Sequence, residues 1–222
     1  MKHTFLKRIC LVAVFATVVQ AQQSAAPANK WEAEIKKFEE ADRKNAPAKD
    51  VVLFTGSSSI RLWQSLAQDF PQVKVLNRGF GGSEIADSTF YVDRMIVPYQ
   101  PRMILLYAGD NDIANNKTPQ KVVEDYKAFV SRVRQKLPIT RIAFISIKPS
   151  PARASLLESM RQANEMIKDY VSHDQSLVYI DVFSPMLGVN GKPRPELFGP
   201  DSLHMNKEGY RLWKSVIAPY LR

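Results

Sequence analysis

The chain has 222 residues, of which 45% are hydrophobic and 24% are charged. These values are typical of globular proteins and argue against a chain that is mainly disordered. The formal net charge of +9 comes from lysines and arginines spread among acidic residues, whereas a nucleic-acid-binding surface would cluster them. We therefore expect one globular domain and no nucleic-acid partner.

The first 21 residues are typical of a secretory signal peptide. Lys2, Lys7 and Arg8 precede an apolar run over residues 9–19, and small or polar residues follow as far as Ala21. We predict cleavage after Ala21 and export of the mature chain, to the periplasm or out of the cell. A membrane anchor is the less favoured alternative, because the apolar run is shorter than the roughly 20 residues of a spanning helix.

Loss of this leader would narrow the catalytic chemistry. The only cysteine, Cys10, lies within it, as does His3, one of three histidines. The mature chain would then have no thiol for a disulfide, a metal site or a cysteine nucleophile. Its only histidine bases would be His173 and His204. We expect no metal and no cofactor.

Residues 22–29 predict a flexible tether, and residues 30–222 a single domain. The domain should begin with an amphipathic helix over residues 30–45, where Trp31, Ile35 and Phe38 recur at helical spacing. Five short apolar runs follow, each typical of a buried strand and each succeeded by a turn and a helical pattern. These runs cover residues 51–55, 74–77, 102–108, 141–147 and 177–182. The following helices are expected near Ser58, from about Ser83, from Thr118 and Pro119, around Leu156 to Tyr170, and from Asn206.

Buried strands alternating with amphipathic helices predict an α/β fold. We expect a flavodoxin-like three-layer α/β/α sandwich with a central, mostly five-stranded parallel sheet. In such sheets the ligand site lies outside the carboxyl ends of the strands, where the connecting loops meet. The residues that follow the predicted strands are therefore the candidates for function.

Ser58 follows the first predicted strand and a glycine turn, at the start of a helix. This placement would expose its hydroxyl above the sheet edge, with helix N-terminal amides directed toward negative charge. A serine attacks a carbonyl when a base takes its proton and donors hold the oxyanion. The alternative is that Ser57, Ser58 and Ser59 only cap the helix.

Asp201 and His204 stand three residues apart at the entry of the last helix. The carboxylate can hold Nδ1 of His204 and leave Nε2 to act as the base. Gly82, in a glycine-rich loop, offers an unobstructed backbone N–H, and the Asn111 side chain offers a second donor. With the amide of Ser58, these groups would form an oxyanion hole.

Four sequence blocks together resemble those of the SGNH or GDSL hydrolases, over the chain from Val51 to the C-terminus. They read GSSS at 56–59, NRGFGG at 77–82, GDND at 109–112 and DSLH at 201–204. The resemblance implies the SGNH hydrolase fold, Ser58 as nucleophile, His204 as base supported by Asp201, and an oxyanion hole of Ser58, Gly82 and Asn111. One departure is Ser57, which stands where the family usually has an aspartate.

The implied activity is hydrolysis of carboxylic esters through an acyl-enzyme on Ser58. We expect a small ester or acylated carbohydrate as substrate, with acetyl a candidate acyl group, because no lid insertion is evident. The resemblance also admits lysophospholipase, thioesterase, platelet-activating-factor-acetylhydrolase-like and acyltransferase activities. A non-catalytic carbohydrate-binding protein is the alternative from another class.

Several other residues have an expected role outside the chemistry. Asp110 and Asp112 should hold their loop by hydrogen bonds, since no metal-liganding pattern surrounds them. His173, at the end of a predicted helix, should be structural. A further set of apolar residues lies on or near the loops that follow the predicted strands. The sequence allows these residues either to line a substrate pocket or to make ordinary core contacts: Phe80, Phe183, Met186, Leu187 and Phe198.

Overall fold

A computed structural model describes residues 30–221 of the chain. The predicted signal peptide and tether, residues 1–21 and 22–29, lie outside the described residues. No helix within residues 30–221 combines the length and apolar character needed to cross a membrane.

The centre of the molecule is a five-stranded sheet with the strand order β2-β1-β3-β4-β5, in which every pair of neighbouring strands is parallel. The strands are β1 (Val52–Gly56), β2 (Val75–Gly79), β3 (Met103–Tyr107), β4 (Arg141–Ile145) and β5 (Leu177–Ile180). This is the flavodoxin-like strand order. The predicted α/β fold with a five-stranded parallel sheet is confirmed.

Helices of very different length precede, connect and follow the strands. They are α1 (Glu32–Lys44), α2 (Ser58–Arg61), α3 (Leu66–Asp69), α4 (Ile85–Phe90), α5 (Val92–Met95), α6 (Asp110–Ala114), α7 (Pro119–Lys136), α8 (Leu157–Ser172) and α9 (Lys207–Ile217). Short 3₁₀ turns cover Val97–Tyr99, Pro151–Leu156, Ser184–Met186, Pro195–Leu197 and Ala218–Tyr220.

The alternation of side chains along each strand divides the core between the two faces of the sheet. Leu53 of β1 belongs to a cluster with residues of α1, α4, α5, α7 and α8. Its neighbour Phe54 belongs to a second cluster with residues of α2 and α9. The helices therefore form one layer on each face of the sheet.

Local sequence accounts for where the long helices begin. The Thr118 hydroxyl accepts a hydrogen bond from the backbone N–H of Lys121 at 3.2 Å, and Pro119 opens α7. The Asn206 side chain accepts from the N–H groups of Glu208 and Gly209 at the start of α9. Both are standard N-terminal caps, and both helix starts agree with the sequence prediction.

The helix after β1 begins at Ser58, as predicted, and is a single turn, because the N–H of Trp63 donates to the Ile60 carbonyl in a tighter turn. Two other elements differ from the prediction. Helix α4 begins at Ile85, after Glu84, whose N–H donates to Asp87 Oδ2 at 2.8 Å. The short helix α6 begins at Asp110, within the GDND block that was predicted as a loop.

Candidate active site

A glycine places Ser58 at the edge of the sheet between β1 and β3. Gly56, the last residue of β1, has φ +112°, and a Cβ there would lie 1.9 Å from the carbonyl oxygen of Tyr107. Only glycine allows this conformation together with such a close approach. The N–H of Ser57 then donates to the same Tyr107 carbonyl at 2.9 Å. Ser58 follows as the first residue of α2, at the point where the strand order reverses and ligands bind in such folds.

Ser58, His204 and Asp201 form a continuous chain of hydrogen bonds. Ser58 Oγ lies 3.0 Å from His204 Nε2, and His204 Nδ1 lies 2.5 Å from Asp201 Oδ2. Asp201 Oδ1 accepts further hydrogen bonds from the backbone N–H groups of Leu203 and His204, at 3.0 and 2.9 Å. Hydrogen bonds lower the pKa of Asp201 below its ordinary value. The largest contribution comes from the Leu203 N–H and the next from the His204 side chain.

An ionised Asp201 fixes the state of the imidazole. The carboxylate accepts the Nδ1–H of His204, so the neutral ring presents the lone pair of Nε2 to the Ser58 hydroxyl. This is the tautomer that can take a proton from serine. The sequence prediction brought these three residues together, and the structure places them within hydrogen-bonding distance.

The loop that carries Asp201 and His204 is held by one backbone hydrogen bond from outside the loop and by one within it. The Ser202 carbonyl accepts a hydrogen bond from the N–H of Ala152 at 3.0 Å, and the His204 carbonyl accepts one from Gly199 at 2.8 Å. The His204 side chain is nevertheless 34% exposed. The imidazole is thus held from behind while solvent and a ligand can reach it.

The loop after β2 carries Gly82, the predicted backbone donor. Gly82 is exposed and has φ +72°, and a Cβ there would meet nothing within 4 Å. The left-handed backbone favours glycine at this position, although the space around it would allow a side chain. The open surroundings leave room for a ligand at this amide.

The side-chain amide of Asn111 lies against the same loop. Its Nδ2 donates to the Ser83 carbonyl at 3.0 Å, and its Oδ1 accepts from Arg153 Nη2 at 2.9 Å. These two contacts fix which end of the amide is nitrogen. Nδ2 has two hydrogens, and one remains after the bond to Ser83.

A buried ionic cluster behind Asn111 was not anticipated from sequence. Lys148 Nζ lies 2.9 Å from Asp110 Oδ2 and 3.2 Å from the Tyr107 hydroxyl, and Arg153 Nη1 lies 3.0 Å from the same Asp110 oxygen. Burial raises the pKa of Asp110, but the charges of Lys148 and Arg153 outweigh burial and hold that pKa below its ordinary value. One carboxylate therefore sits between two cations.

The sequence did offer a weak signal for this cluster. Lys148 and Arg153 follow β4, and Asp110 follows β3, so the parallel order of the strands brings all three to the same edge of the sheet. The interpretation of Asp110 as a residue that holds its loop was too narrow, because the carboxylate also fastens the loop after β4.

Asp112 holds its loop as predicted, by contacts with a backbone N–H group and with a lysine ammonium group. Its two oxygens each lie 3.3 Å from the N–H of Ile85, and Oδ1 lies 3.0 Å from Lys117 Nζ. Burial raises the pKa of Asp112 to about 6, against the opposing charge of Lys117. Among residues 30–221, no group of three or more His, Cys, Asp and Glu side chains is placed to hold a metal ion.

The remaining predicted residues lie in structural positions. His173 caps the end of α8, with Nδ1 2.7 Å from the Asp169 carbonyl. The apolar residues for which the sequence allows either a substrate pocket or core contacts are core residues. Phe80, Phe183, Met186 and Phe198 are buried, and Leu187 packs against the core. They belong to the packing of the domain, which favours the core interpretation over a pocket.

The serines around Ser58 do not cap α2. Ser57 is its N-cap residue, but no side-chain capping hydrogen bond forms. Within the described part of the chain, the buried hydroxyls of Ser57 and Ser59 have no hydrogen-bond partner. The capping alternative for this block is therefore wrong.

Comparison with known proteins agrees with this fold. The family model of the GDSL-like lipase/acylhydrolase family matches residues 53–212. The chain belongs to this family, and it is a hydrolase by class. A comparison with curated proteins found no match.

Solved structures share the fold at low sequence identity. A Streptococcus pneumonia protein described as a platelet activating factor has a TM-score of 0.76 and 20% identity, over 87% of this chain and 94% of its own. A GDSL-like lipase from Bacteroides thetaiotaomicron has a TM-score of 0.72 and 18% identity, over 85% and 97%. A carbohydrate esterase family 3 protein from Talaromyces cellulolyticus has a TM-score of 0.58 and 15% identity, over 77% and 96%. At these sequence identities, the similarity to the solved structures shows a shared fold and nothing more.

Proposed function

We propose that the protein is a serine ester hydrolase that works through an acyl-enzyme on Ser58. The observation that carries this proposal is the hydrogen-bonded chain from Ser58 Oγ to His204 Nε2, at 3.0 Å, and from His204 Nδ1 to Asp201 Oδ2, at 2.5 Å. A nucleophile, a base and a group that orients the base are the three parts that acyl transfer requires.

The first half of the reaction acylates the serine. Ser58 Oγ attacks the ester carbonyl while His204 Nε2 takes the hydroxyl proton. The oxyanion that forms accepts hydrogen bonds from the amides of Ser58 and Gly82 and from Asn111 Nδ2. The imidazolium, stabilised by ionised Asp201, then gives its proton to the departing alcohol oxygen.

Water repeats these steps to release the acid. His204 takes a proton from water, which attacks the acyl-enzyme carbonyl through a second oxyanion at the same donors. Collapse of this intermediate breaks the bond to Ser58 Oγ and returns the proton to the serine. The protein's own groups supply every proton transfer, so the proposed reaction needs no added cofactor.

Small acyl groups, with acetyl on a carbohydrate as the leading candidate, fit the proposal best. Four large apolar residues of the strand-end loops are buried in the core, where they cannot line an acyl-chain tunnel: Phe80, Phe183, Met186 and Phe198. One solved structure of the same fold is a carbohydrate esterase, and another is an acetyl esterase mutant with acetate.

We also propose that the protein is exported. N-terminal sequencing of protein from the periplasm or medium tests this proposal, and the mature chain should begin at Gln22.

The direct test compares the wild type with Ser58→Ala on p-nitrophenyl acetate, butyrate and octanoate. We expect the wild type to prefer acetate and Ser58→Ala to lose nearly all turnover, on the order of a 10⁴-fold or greater loss of kcat. A fluorophosphonate probe should label the wild type and leave Ser58→Ala unlabelled.

Ser57→Ala is the matched control, because it removes a hydroxyl one residue away that has no partner among the described residues. It should keep near-wild-type turnover. Ser58→Ala with wild-type activity would contradict the nucleophile assignment. A wild type that binds acetylated sugars without hydrolysing any ester would favour the carbohydrate-binding alternative.

A further inference from the structure

Trp31 connects the N-terminal helix to the loop that carries Gly82. It precedes α1 and lies outside the stretch matched by the family model, residues 53–212. Its side chain is buried, since the residue is only 8% exposed. Its indole Nε1–H donates to the carbonyl oxygen of Gly81 at 2.8 Å, and its ring packs edge-on against Phe80 with centroids 5.7 Å apart.

The carbonyl that Trp31 holds belongs to the same peptide group as the N–H of Gly82. No cis peptide occurs in the described residues, and a trans peptide directs its C=O and N–H to opposite sides. A donor that fixes the Gly81 oxygen on the side of α1 therefore directs the Gly82 N–H away from α1. The same hydrogen bond polarises the peptide and strengthens its N–H as a donor.

This peptide group needs such a restraint. Both of its residues are glycines, and Gly82 has φ +72° in open surroundings, where a Cβ would meet nothing within 4 Å. Two adjacent glycines allow the plane between them to rotate with little steric resistance. The flanking residues are already fixed, because Phe80 N–H donates to the Gly56 carbonyl and Asn111 holds the Ser83 carbonyl. The peptide between these anchors is the one that Trp31 holds.

Helix α1 is well placed to act as a rigid support for Trp31. Ile35, one turn later, is fully buried in the core. Arg94 pairs with Glu32 and with Glu39, at 2.7 Å in each case. The indole is thus anchored to the domain by packing and charge, independently of the hydrogen bond that it donates to the loop.

We infer that Trp31 is a positioning residue, which orients the Gly81–Gly82 peptide so that the Gly82 N–H serves the oxyanion hole. The inference rests on the proposed function and extends it to a segment outside the matched family region. It gives the indole N–H a role in the rate of the chemical step, in addition to the role of the ring in packing.

The test removes the N–H and keeps an aromatic ring, by Trp31→Phe. Loss of a whole oxyanion donor costs about 10²- to 10³-fold in kcat, so misorientation of one donor should cost less, about 5- to 30-fold. KM for p-nitrophenyl acetate should stay within about twofold of the wild type, because substrate binds before the oxyanion forms. Affinity for a boronic acid, which mimics the tetrahedral intermediate on Ser58, should fall by a factor similar to that of kcat.

Trp63→Phe is the matched control. Trp63 is also buried, and its Nε1–H donates to Asp69 Oδ2 at 2.8 Å, away from the glycine loop. This variant should lower the unfolding temperature and leave kcat close to the wild type. If Trp31→Phe does not fold, β-(3-benzothienyl)alanine at position 31 replaces the indole N–H by sulfur at nearly constant shape, and the same losses are expected.

The two hypotheses fail in different ways. If Ser58→Ala abolishes turnover while removal of the Trp31 N–H changes neither kcat nor boronate affinity, the inference about Trp31 is wrong and the proposed function stands. If the wild type shows no turnover that depends on Ser58, the proposed function is overturned and the inference with it.

Discussion

The side-chain amide of Asn111 is held at both of its ends. Ser83 accepts from its nitrogen at 3.0 Å, and Arg153 donates to its oxygen at 2.9 Å. Arg153 is itself fixed by Asp110, which lies between Arg153 and the buried Lys148. A guanidinium can donate only to the oxygen of an amide, so Arg153 prevents Asn111 from presenting its oxygen to the oxyanion.

We predict that Arg153→Ala lowers kcat about tenfold with little change in KM, because it frees the Asn111 amide to rotate while leaving the ground-state contacts of the substrate in place. Arg153→Lys should recover only part of this loss, since an ammonium cannot contact Asn111 and Asp110 together in the same fork-like geometry. Steady-state kinetics of both variants checks this expectation.

A double-mutant cycle shows whether Arg153 acts through Asn111. Asn111→Ala alone should cost on the order of 10²-fold in kcat. Adding Arg153→Ala to it should then cost little more, because the amide that Arg153 orients is absent. Independent, multiplicative losses would mean that Arg153 contributes by another route.

Helix α1 shows how an element outside the matched family region is joined to the sheet. Its buried residue Ile35 packs into the core, while Arg94 of α5 pairs with Glu32 and Glu39 at the partly exposed surface. Apolar burial and ion pairing both attach this helix to the domain, but they usually contribute different amounts to the free energy of unfolding. Truncation of a buried isoleucine removes far more free energy than loss of an exposed ion pair.

We predict that Ile35→Ala lowers the free energy of unfolding by about 2–4 kcal/mol. Arg94→Ala, which removes ion pairs that water already screens, should have a clearly smaller effect. Urea unfolding of the two variants measures both losses. A larger loss for Arg94→Ala would show that charge, and not apolar packing, attaches α1 to the domain.

The elements that could be predicted from sequence are those with local causes. Buried strands carry continuous apolar runs, and α7 and α9 begin at residues whose own side chains cap them, Thr118 and Asn206. Ser58, Asp201 and His204 could be chosen as candidate site residues because each lies in a motif of four residues. These signals depend on neighbours in the chain, so one sequence contains them.

The parts that could not be predicted depend on contacts between distant segments. The hydrogen bond from Trp31 to Gly81 joins residues 50 positions apart, and the bond from Arg153 to Asn111 joins residues 42 apart. A tryptophan in an amphipathic helix predicts core packing, and an arginine in a loop predicts a solvated charge. Neither pattern indicates which loop the side chain will hold until the sheet brings the loops together.

At the scale of the whole molecule, the sheet gathers both the proposed site and its electrostatic supports at one edge. The carboxyl ends of β1 and β3 bring Ser58 near the short helix α6, which carries Asn111 and the buried Asp112. Asp112 is fully buried beside Lys117, which also pairs with Glu84 and Asp125. Lys117 is shared among these three carboxylates, and Lys121 pairs only with the Asp125 end of the cluster, at 2.7 Å. The ionised form of Asp112 is therefore incompletely compensated.

This arrangement predicts an unusual dependence of stability on pH. Burial raises the pKa of Asp112 to about 6, whereas an unfolded aspartate has a pKa of about 3.9. Between these values the folded state binds more protons than the unfolded state, so the contribution of Asp112 to stability falls as the pH rises from about 4 to about 6. Relative to Asp112→Asn, the free energy of unfolding of the wild type should therefore rise by about 2 kcal/mol between pH 7 and pH 4.

Urea unfolding of both proteins at pH 4, 5, 6 and 7 checks this difference, and Asp174→Asn supplies a control of opposite sign. Hydrogen bonds from Ser176 hold the pKa of Asp174 below its ordinary value. The stability that Asp174 contributes is present above the unfolded pKa and is lost as the pH falls. On acidification, the free energy of unfolding of the wild type should thus fall relative to that of Asp174→Asn. Over the same pH range it should rise relative to that of Asp112→Asn. A difference between the wild type and Asp112→Asn that is the same at all four pH values would show that Asp112 ionises at its ordinary pKa, with the charge of Lys117 fully offsetting its burial.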